Sequence, residues 1–101
     1  MSKLRAGVAG AGAFGRIHAR KYAEDARVTF VGVFDPDDER AQQLADTHGA
    51  PSFASYERLL AACDIVTIAS PPSLHGAAVR AALEAGKHVL VEKPLATDAA
   101  L

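Results

Sequence analysis

A glycine-rich segment near the start of the chain has the residue types and spacing of a phosphate-binding turn. Gly10, Gly12 and Gly15 form the pattern G-x-G-x-x-G, with Ala13 and Phe14 before the last glycine. In such a turn the first glycine permits a tight bend, the second lets the backbone approach a pyrophosphate, and the third lets a helix pack against a strand. The free N–H groups of that helix attract anions. The alternative is a turn that binds nothing, but its position between a predicted strand and a predicted helix favours a ligand.

Asp35 is the second candidate, 20 positions after Gly15 and at the end of a predicted strand. A carboxylate placed there accepts hydrogen bonds from the adenosine ribose of a dinucleotide and disfavours the 2′-phosphate of NADP. The acidic residues 37–39 add negative charge, and Arg40 is the only nearby cation, so NAD is the expected cofactor and NADP is disfavoured. The alternative role for Asp35 is to cap the next helix, although Asp37 is available for that task.

Three further candidates follow a buried predicted strand. Ser70 and Pro71 come directly after it, and His75 lies in the first turn of the next predicted helix. Ligands of doubly wound sheets bind outside the carboxyl ends of the strands where the strand order reverses, so we expect these residues to face the glycine-rich turn. The ordinary alternatives, a strand-end hydroxyl for Ser70 and a surface residue for His75, fit the sequence equally well.

Glu92 and Lys93 end the last predicted strand, directly before Pro94 and above the same crevice. A lysine there could donate to a hydroxyl or carbonyl of a substrate. A neighbouring positive nicotinamide ring would lower its pKa and suit it to proton transfer. The bond before Pro94 could also be cis, which would aim the side chain differently. The alternative is a solvated Glu–Lys pair at a strand end.

The elements that must position these residues alternate between strand and helix, as in βαβ units that build a parallel sheet. Predicted strands cover residues 4–9, 28–34, 52–53, 64–69 and 88–92. Predicted helices cover residues 14–24, 37–48, 56–61 and 73–85, with Ser73 as a cap, Gly86 as a stop and a further helix start at Thr97. We predict one α/β domain, a doubly wound Rossmann-type parallel sheet of about five strands, in which strands 4–9 and 64–69 are neighbours.

Composition narrows the class of protein. The chain has 101 residues, half of them hydrophobic, and a net charge of −1 with both signs interspersed, which argues against a nucleic-acid module. Cys63 is the only cysteine, so no internal disulfide forms and no metal site is expected. Glycines interrupt the first apolar stretch, and no apolar run is long enough for a bilayer, so we predict a cytoplasmic protein without a membrane partner.

The residues 10–18, the pair Phe34-Asp35, the segment 70–75 and the motif 92–94 together resemble the N-terminal domain of the GFO/IDH/MocA oxidoreductase family. The resemblance covers essentially the whole chain. It implies that the domain binds NAD or NADP through the glycine-rich turn and Asp35. It also implies that the residues matching Ser70 and His75 line the cofactor crevice, and that the lysine matching Lys93 positions substrate and takes part in proton transfer.

The resemblance further implies substrates such as sugars, inositols and related polyols, oxidised at a secondary hydroxyl by hydride transfer to the nicotinamide. Members of the family are much longer, and a C-terminal domain supplies the substrate pocket, a catalytic histidine and usually the oligomer interface. We therefore expect residues 1–101 to form the cofactor domain alone, inactive without the substrate domain. Two alternatives stay open: a nucleotide-sensing regulatory module, and a scaffold that binds nothing and self-associates. Lys93 favours the enzyme, because a sensor has no chemical need of it.

Overall fold

The computed structural model describes residues 3–69 and 72–91. Its strands are β1 (Leu4–Ala9), β2 (Val28–Phe34), β3 (Ile65–Ile68) and β4 (His88–Val91). Its helices are α1 (Ala13–Glu24), α2 (Asp38–Thr47), α3 (Tyr56–Ala62) and α4 (Pro72–Glu84).

The four strands form one parallel sheet in the order β2-β1-β3-β4. The chain moves outward from β1 to β2 and then crosses back to place β3 on the other side of β1, where Ala6 to Ala9 pair with Ile65 to Ile68. This reversal confirms the predicted α/β class and the predicted contact between the first strand and the strand that begins near residue 64. The carboxyl ends of β1 and β3 therefore meet at the point where the strand order reverses.

The predicted strand at 52–53 is reduced to a single bridge between Ser52 and Val33. Val33 N–H donates to the carbonyl of Pro51 at 3.2 Å, and Phe53 N–H donates back to Val33 at 2.8 Å. Pro51 has no N–H with which to extend the pairing, and α3 begins three residues after Phe53. The described sheet therefore has four strands where about five were expected.

Two sets of buried side chains cover the two faces of the sheet. Successive residues of a strand point to opposite faces, and Val8 packs with α1 and α2 whereas its neighbour Ala9 packs with α3 and α4. On the face covered by α1, the buried Thr67 of β3 is hydrogen-bonded to the hydroxyl of Tyr22 at 2.5 Å. That bond satisfies a polar group in the core and ties α1 to the central strand.

The ends of the helices differ slightly from the sequence expectations. Asp37 caps α2, because its carboxylate accepts from the N–H groups of Glu39 and Arg40. Gly86 closes α4 at φ 77°, as predicted, but α4 begins at Pro72, which places the expected cap Ser73 inside the helix. Proline favours the first helical position because its missing N–H would have no partner there. The expected helix start at Thr97 lies outside the described residues.

An ion pair joins the amino ends of β1 and β3, the two inner strands of the sheet. The Asp64 carboxylate accepts from the backbone N–H of Arg5 at 2.8 Å and from its guanidinium at 3.0 Å and 3.3 Å. The Arg5 hydrogen bonds hold the pKa of Asp64 at about 2. This contact fixes the start of β3 against β1, 59 residues away in the chain.

Candidate functional site

The glycine-rich turn joins β1 to α1 through backbone geometry that only glycine supports at two positions. Gly10 has φ 117°, and its N–H donates to the carbonyl of Phe34 at 2.7 Å, which ties the turn to the end of β2. A Cβ on Gly15 would lie 1.7 Å from the carbonyl oxygen of Gly10. The helix therefore approaches the turn as closely as the sequence pattern predicted.

The N-terminus of α1 is open. Gly12 occupies the cap position, no described side chain bonds to it, and its first turn contains no acidic residue. The first helical hydrogen bond within this turn runs from Arg16 N–H to Gly12 at 2.9 Å, which leaves the earlier N–H groups available for an external acceptor. α2, by contrast, is capped by Asp37. The uncapped N-terminus and the close-packed turn fit the phosphates of a dinucleotide.

Asp35 is buried, with 9% of its surface exposed, and both of its carboxylate oxygens accept hydrogen bonds from the backbone. Oδ2 accepts from Ala11 N–H at 2.7 Å, and Oδ1 accepts from Asp37 N–H at 2.8 Å. The side chain therefore links the glycine-rich turn to the turn that follows β2. Each oxygen keeps one further lone pair, so a ribose hydroxyl can still donate to it.

A groove of about 790 Å³ runs beside the turn, between α1 and α2. Its upper end is formed by Gly12 and Ala13, and its walls carry Arg16, Arg20 and Arg40; we call it the arginine groove. The Arg40 side chain extends toward the turn: a Cβ built on Gly12 would lie 3.3 Å from Arg40 Nη2. Within residues 3–69 and 72–91, none of these three guanidinium groups is bonded to another side chain.

Sequence reasoning did not find the arginine groove. Arg16 and Arg20 are four residues apart and so share one face of α1. That spacing was enough to predict two neighbouring arginines on the helix surface. Nothing in the sequence indicated that Arg40 would come from another helix to meet them, because that contact depends on how α1 and α2 pack on the sheet.

The structure brings one group of predicted site residues together. Its members all lie in or beside the glycine-rich turn: Gly10, Gly12, Ala13, Phe14, Gly15 and Asp35. His75 lies in the first turn of α4, the helix that follows β3. Ser70, Pro71, Glu92 and Lys93 lie outside the described residues.

Residues 3–69 and 72–91 contain no group of three or more His, Cys, Asp or Glu side chains arranged to hold a metal ion. No helix among them has both the length and the apolar character to cross a membrane.

The sequence of this chain is similar to those of several known enzymes. It is 43% identical over 98 residues to UDP-N-acetylglucosamine 3-dehydrogenase of Acidithiobacillus ferrooxidans, covering 97% of this chain and 31% of that enzyme. It is also 43% identical over 103 residues to inositol 2-dehydrogenase/D-chiro-inositol 3-dehydrogenase of Shouchella clausii, covering 95% of this chain and 29% of that one. The chain thus spans about 30% of the length of these relatives.

A solved structure and a family profile agree with these relatives. GenD2 from gentamicin A biosynthesis, in complex with NAD, superposes with a TM-score of 0.88 at 33% identity, covering 94% of this chain and 28% of that one. The profile described as "Oxidoreductase family, NAD-binding Rossmann fold" matches residues 4–100. Because that match runs over nearly the whole chain and falls on the strand–turn–helix geometry described above, this chain belongs to the GFO/IDH/MocA oxidoreductase family and forms an NAD(P)-binding Rossmann domain.

Proposed function

We propose that this chain is the cofactor domain of a dehydrogenase that transfers a hydride between a secondary hydroxyl of a sugar, inositol or similar polyol and NAD. The observation that carries the proposal is the open N-terminus of α1, which follows a turn that requires glycine at positions 10 and 15. The names of the relatives, a sugar-nucleotide dehydrogenase and an inositol dehydrogenase, support the substrate class.

In this proposal the backbone of the glycine-rich turn holds the pyrophosphate of the dinucleotide. The N–H groups of Ala13, Phe14 and Gly15 belong to the first turn of α1, where the helix dipole favours a negative group. Asp35 uses its remaining lone pairs for the ribose hydroxyls, and the negative charge around it favours NAD over NADP.

The catalytic assignment concerns Lys93. We propose that its ammonium group donates to the reacting oxygen of the substrate and takes part in moving the hydroxyl proton. The nicotinamide, when bound, supplies the acceptor for the hydride. Ser70, Pro71, His75 and Glu92 are proposed to line the cofactor crevice around it. The substrate pocket itself belongs, in this proposal, to a further domain of a longer protein, so turnover requires more chain than these 101 residues.

A calorimetric titration of the chain with NAD tests the cofactor site. We expect saturable binding to the wild type and none to Gly15→Ala, because the added methyl group would overlap the Gly10 carbonyl and displace the turn. Gly76→Ala is the matched control, since a Cβ at Gly76 of α4 would meet no atom within 4 Å. Circular dichroism checks that both variants are folded.

Two outcomes would contradict the proposal. One is a wild-type chain that does not bind NAD. The other is a folded Gly15→Ala variant whose NAD affinity equals that of Gly76→Ala, since binding would then not depend on the turn.

A further inference from the structure

Strand β4 forms an edge of the sheet and turns hydrogen-bonding groups outward. Within residues 3–69 and 72–91 it pairs with β3 alone. His88 N–H donates to the carbonyl of Asp64, directly before β3, at 3.0 Å, so the backbone groups of His88 and Leu90 face β3. These groups alternate in direction along a strand, and those of Val89 and Val91 therefore face away from the sheet. Such a row of unpaired groups is a template for a further strand.

An exposed leucine lies beside this edge on one face of the sheet. Val89 and Val91 pack against the core under α3 and α4, so Leu90, between them, lies on the opposite face. On that face α1 covers β1, β2 and β3, but Leu90 is 44% exposed. A strand added beside β4 would cover it.

A second exposed leucine lies on the other face. Helix α4 packs over β3 and β4, and the Tyr56 hydroxyl of α3 donates to the Ala78 carbonyl at 2.7 Å, so Ala78 marks the inner side of α4. Leu83 comes five residues later, about 140° further around the helix, and is 60% exposed. It therefore lies on the side of α4 turned away from α3, above the free edge of β4.

The pattern of β4 fits a second copy of itself in one register. A two-fold axis perpendicular to the sheet makes two β4 strands antiparallel and keeps their corresponding faces together. With the axis at Leu90, the outward groups of Val89 and Val91 exchange hydrogen bonds, and Leu90 meets its own copy in a close, non-hydrogen-bonded pair. His88 then comes opposite Glu92, the residue after β4, on both sides of the axis. Moving the axis to Val89 would set His88 against Leu90 and lose both of these charge-complementary pairs.

We infer that this chain forms a symmetric dimer in which the two β4 strands pair antiparallel about Leu90 and join two four-stranded sheets into one. The partner at this edge is a second copy of the chain, because the outward backbone groups, the leucine and the His88–Glu92 pairs are all satisfied together in that register. The surface buried by a single strand pair is small, so the dimer exchanges with the monomer. The inference goes beyond the proposed function, and only Glu92 is shared between this interface and the proposed cofactor crevice.

Sedimentation velocity and NMR hydrogen exchange on the 101-residue chain, from micromolar to millimolar concentration, test the inference. We expect a reversible equilibrium between monomer and dimer. The amides of Val89 and Val91 should become protected as the dimer forms, because their N–H groups then bond across the interface. The amide of Leu90 faces β3 and should be protected at every concentration.

Leu90→Asp should abolish the dimer, because two carboxylates would then face each other across the axis. Leu4→Asp is the matched control, since Leu4 is 42% exposed, close to the 44% of Leu90, but begins the inner strand β1. It should dimerise as the wild type does. Circular dichroism checks that both variants are folded.

A charge exchange tests the register. His88→Glu places two carboxylates opposite each other in both pairs and should weaken the dimer at least about tenfold. The double variant His88→Glu/Glu92→Lys restores opposite charges and should recover the wild-type affinity.

The inference is wrong if the chain stays monomeric at millimolar concentration, or if folded Leu90→Asp still dimerises. It is also wrong if Leu4→Asp loses the dimer equally, if association leaves the Val89 and Val91 amides unprotected, or if the double variant is as weak as His88→Glu. None of these outcomes depends on whether the chain binds NAD.

Discussion

At the scale of single residues, Asp35 shows what the sequence could and could not predict. Its position after β2 was sufficient to place it beside the glycine-rich turn. Its hydrogen bond from Asp37 N–H could also be predicted from the sequence, because an aspartate carboxylate commonly accepts from the backbone N–H two residues later. The hydrogen bond from Ala11 N–H could not be predicted from the sequence, because it joins residues 24 apart and depends on the pairing of β1 with β2. Asp35 is consequently a structural link as well as a candidate ligand.

Asp35→Ala should destabilise the chain in the absence of any cofactor. The substitution leaves Ala11 N–H, which lies in a buried part of the turn, without its acceptor, and we expect the free energy of unfolding to fall by about 1–3 kcal/mol. Urea titration measures this change. Asp38→Ala, an exposed aspartate at the start of α2, is the control and should cost less. Equal stability of the two variants would show that the Asp35 bonds contribute nothing.

At the scale of elements, periodicity and glycine placement predicted nearly all of the sheet and helices. The strand ending at Phe34 and the helix closed by Gly86 were found as expected, and the helix predicted to begin at Phe14 begins one residue earlier, at Ala13. Short segments were predicted less well, because residues 52–53 carry strand-like side chains but only a bridge forms beside Pro51. The arginine groove was missed for another reason. It is a property of two helices packed side by side, and neither helix contains it alone.

The ion pair between Arg5 and Asp64 gives an element-scale prediction about pH. The folded-state pKa of Asp64 is about 2, below the value of about 3.9 for an unfolded aspartate, so its stabilising effect is complete above about pH 4. The effect is lost as the pH falls from about 4 to about 2. Asp64→Asn should therefore be less stable than the wild type at neutral pH, with the difference closing over that range.

Urea midpoints measured for both proteins at several pH values test this prediction. Asp25 also has a pKa of about 2, because Arg27 bonds to it, but it is present in both proteins and cancels in the comparison. Asp25→Asn is the control, because it removes an ion pair between two residues that are only two positions apart in the chain. That pair should contribute less to the free energy of unfolding than the pair that joins β1 to β3. A wild-type advantage that persisted at about pH 2 would rule out the ion pair as its source.

At the scale of the whole molecule, the candidate site is assembled from segments that are far apart in the chain. The turn after β1, the end of β2 and the first turn of α2 meet because β1 lies between β2 and β3 and because α1 and α2 share one face. The unfolded chain cannot hold these groups together. A ligand that binds them binds only the folded state, and its binding free energy must appear as stability.

NAD should therefore raise the thermal midpoint of the chain. At a free concentration of about 100 times Kd, binding adds about 2.7 kcal/mol, which corresponds to roughly 10–20 °C for a domain of this size. Differential scanning calorimetry at increasing NAD measures the shift. Gly76→Ala should show the same increase, and Gly15→Ala should show none, because its added methyl group displaces the turn that binds the phosphates. An equal increase in all three proteins would mean that NAD acts on the chain without using the turn between β1 and α1.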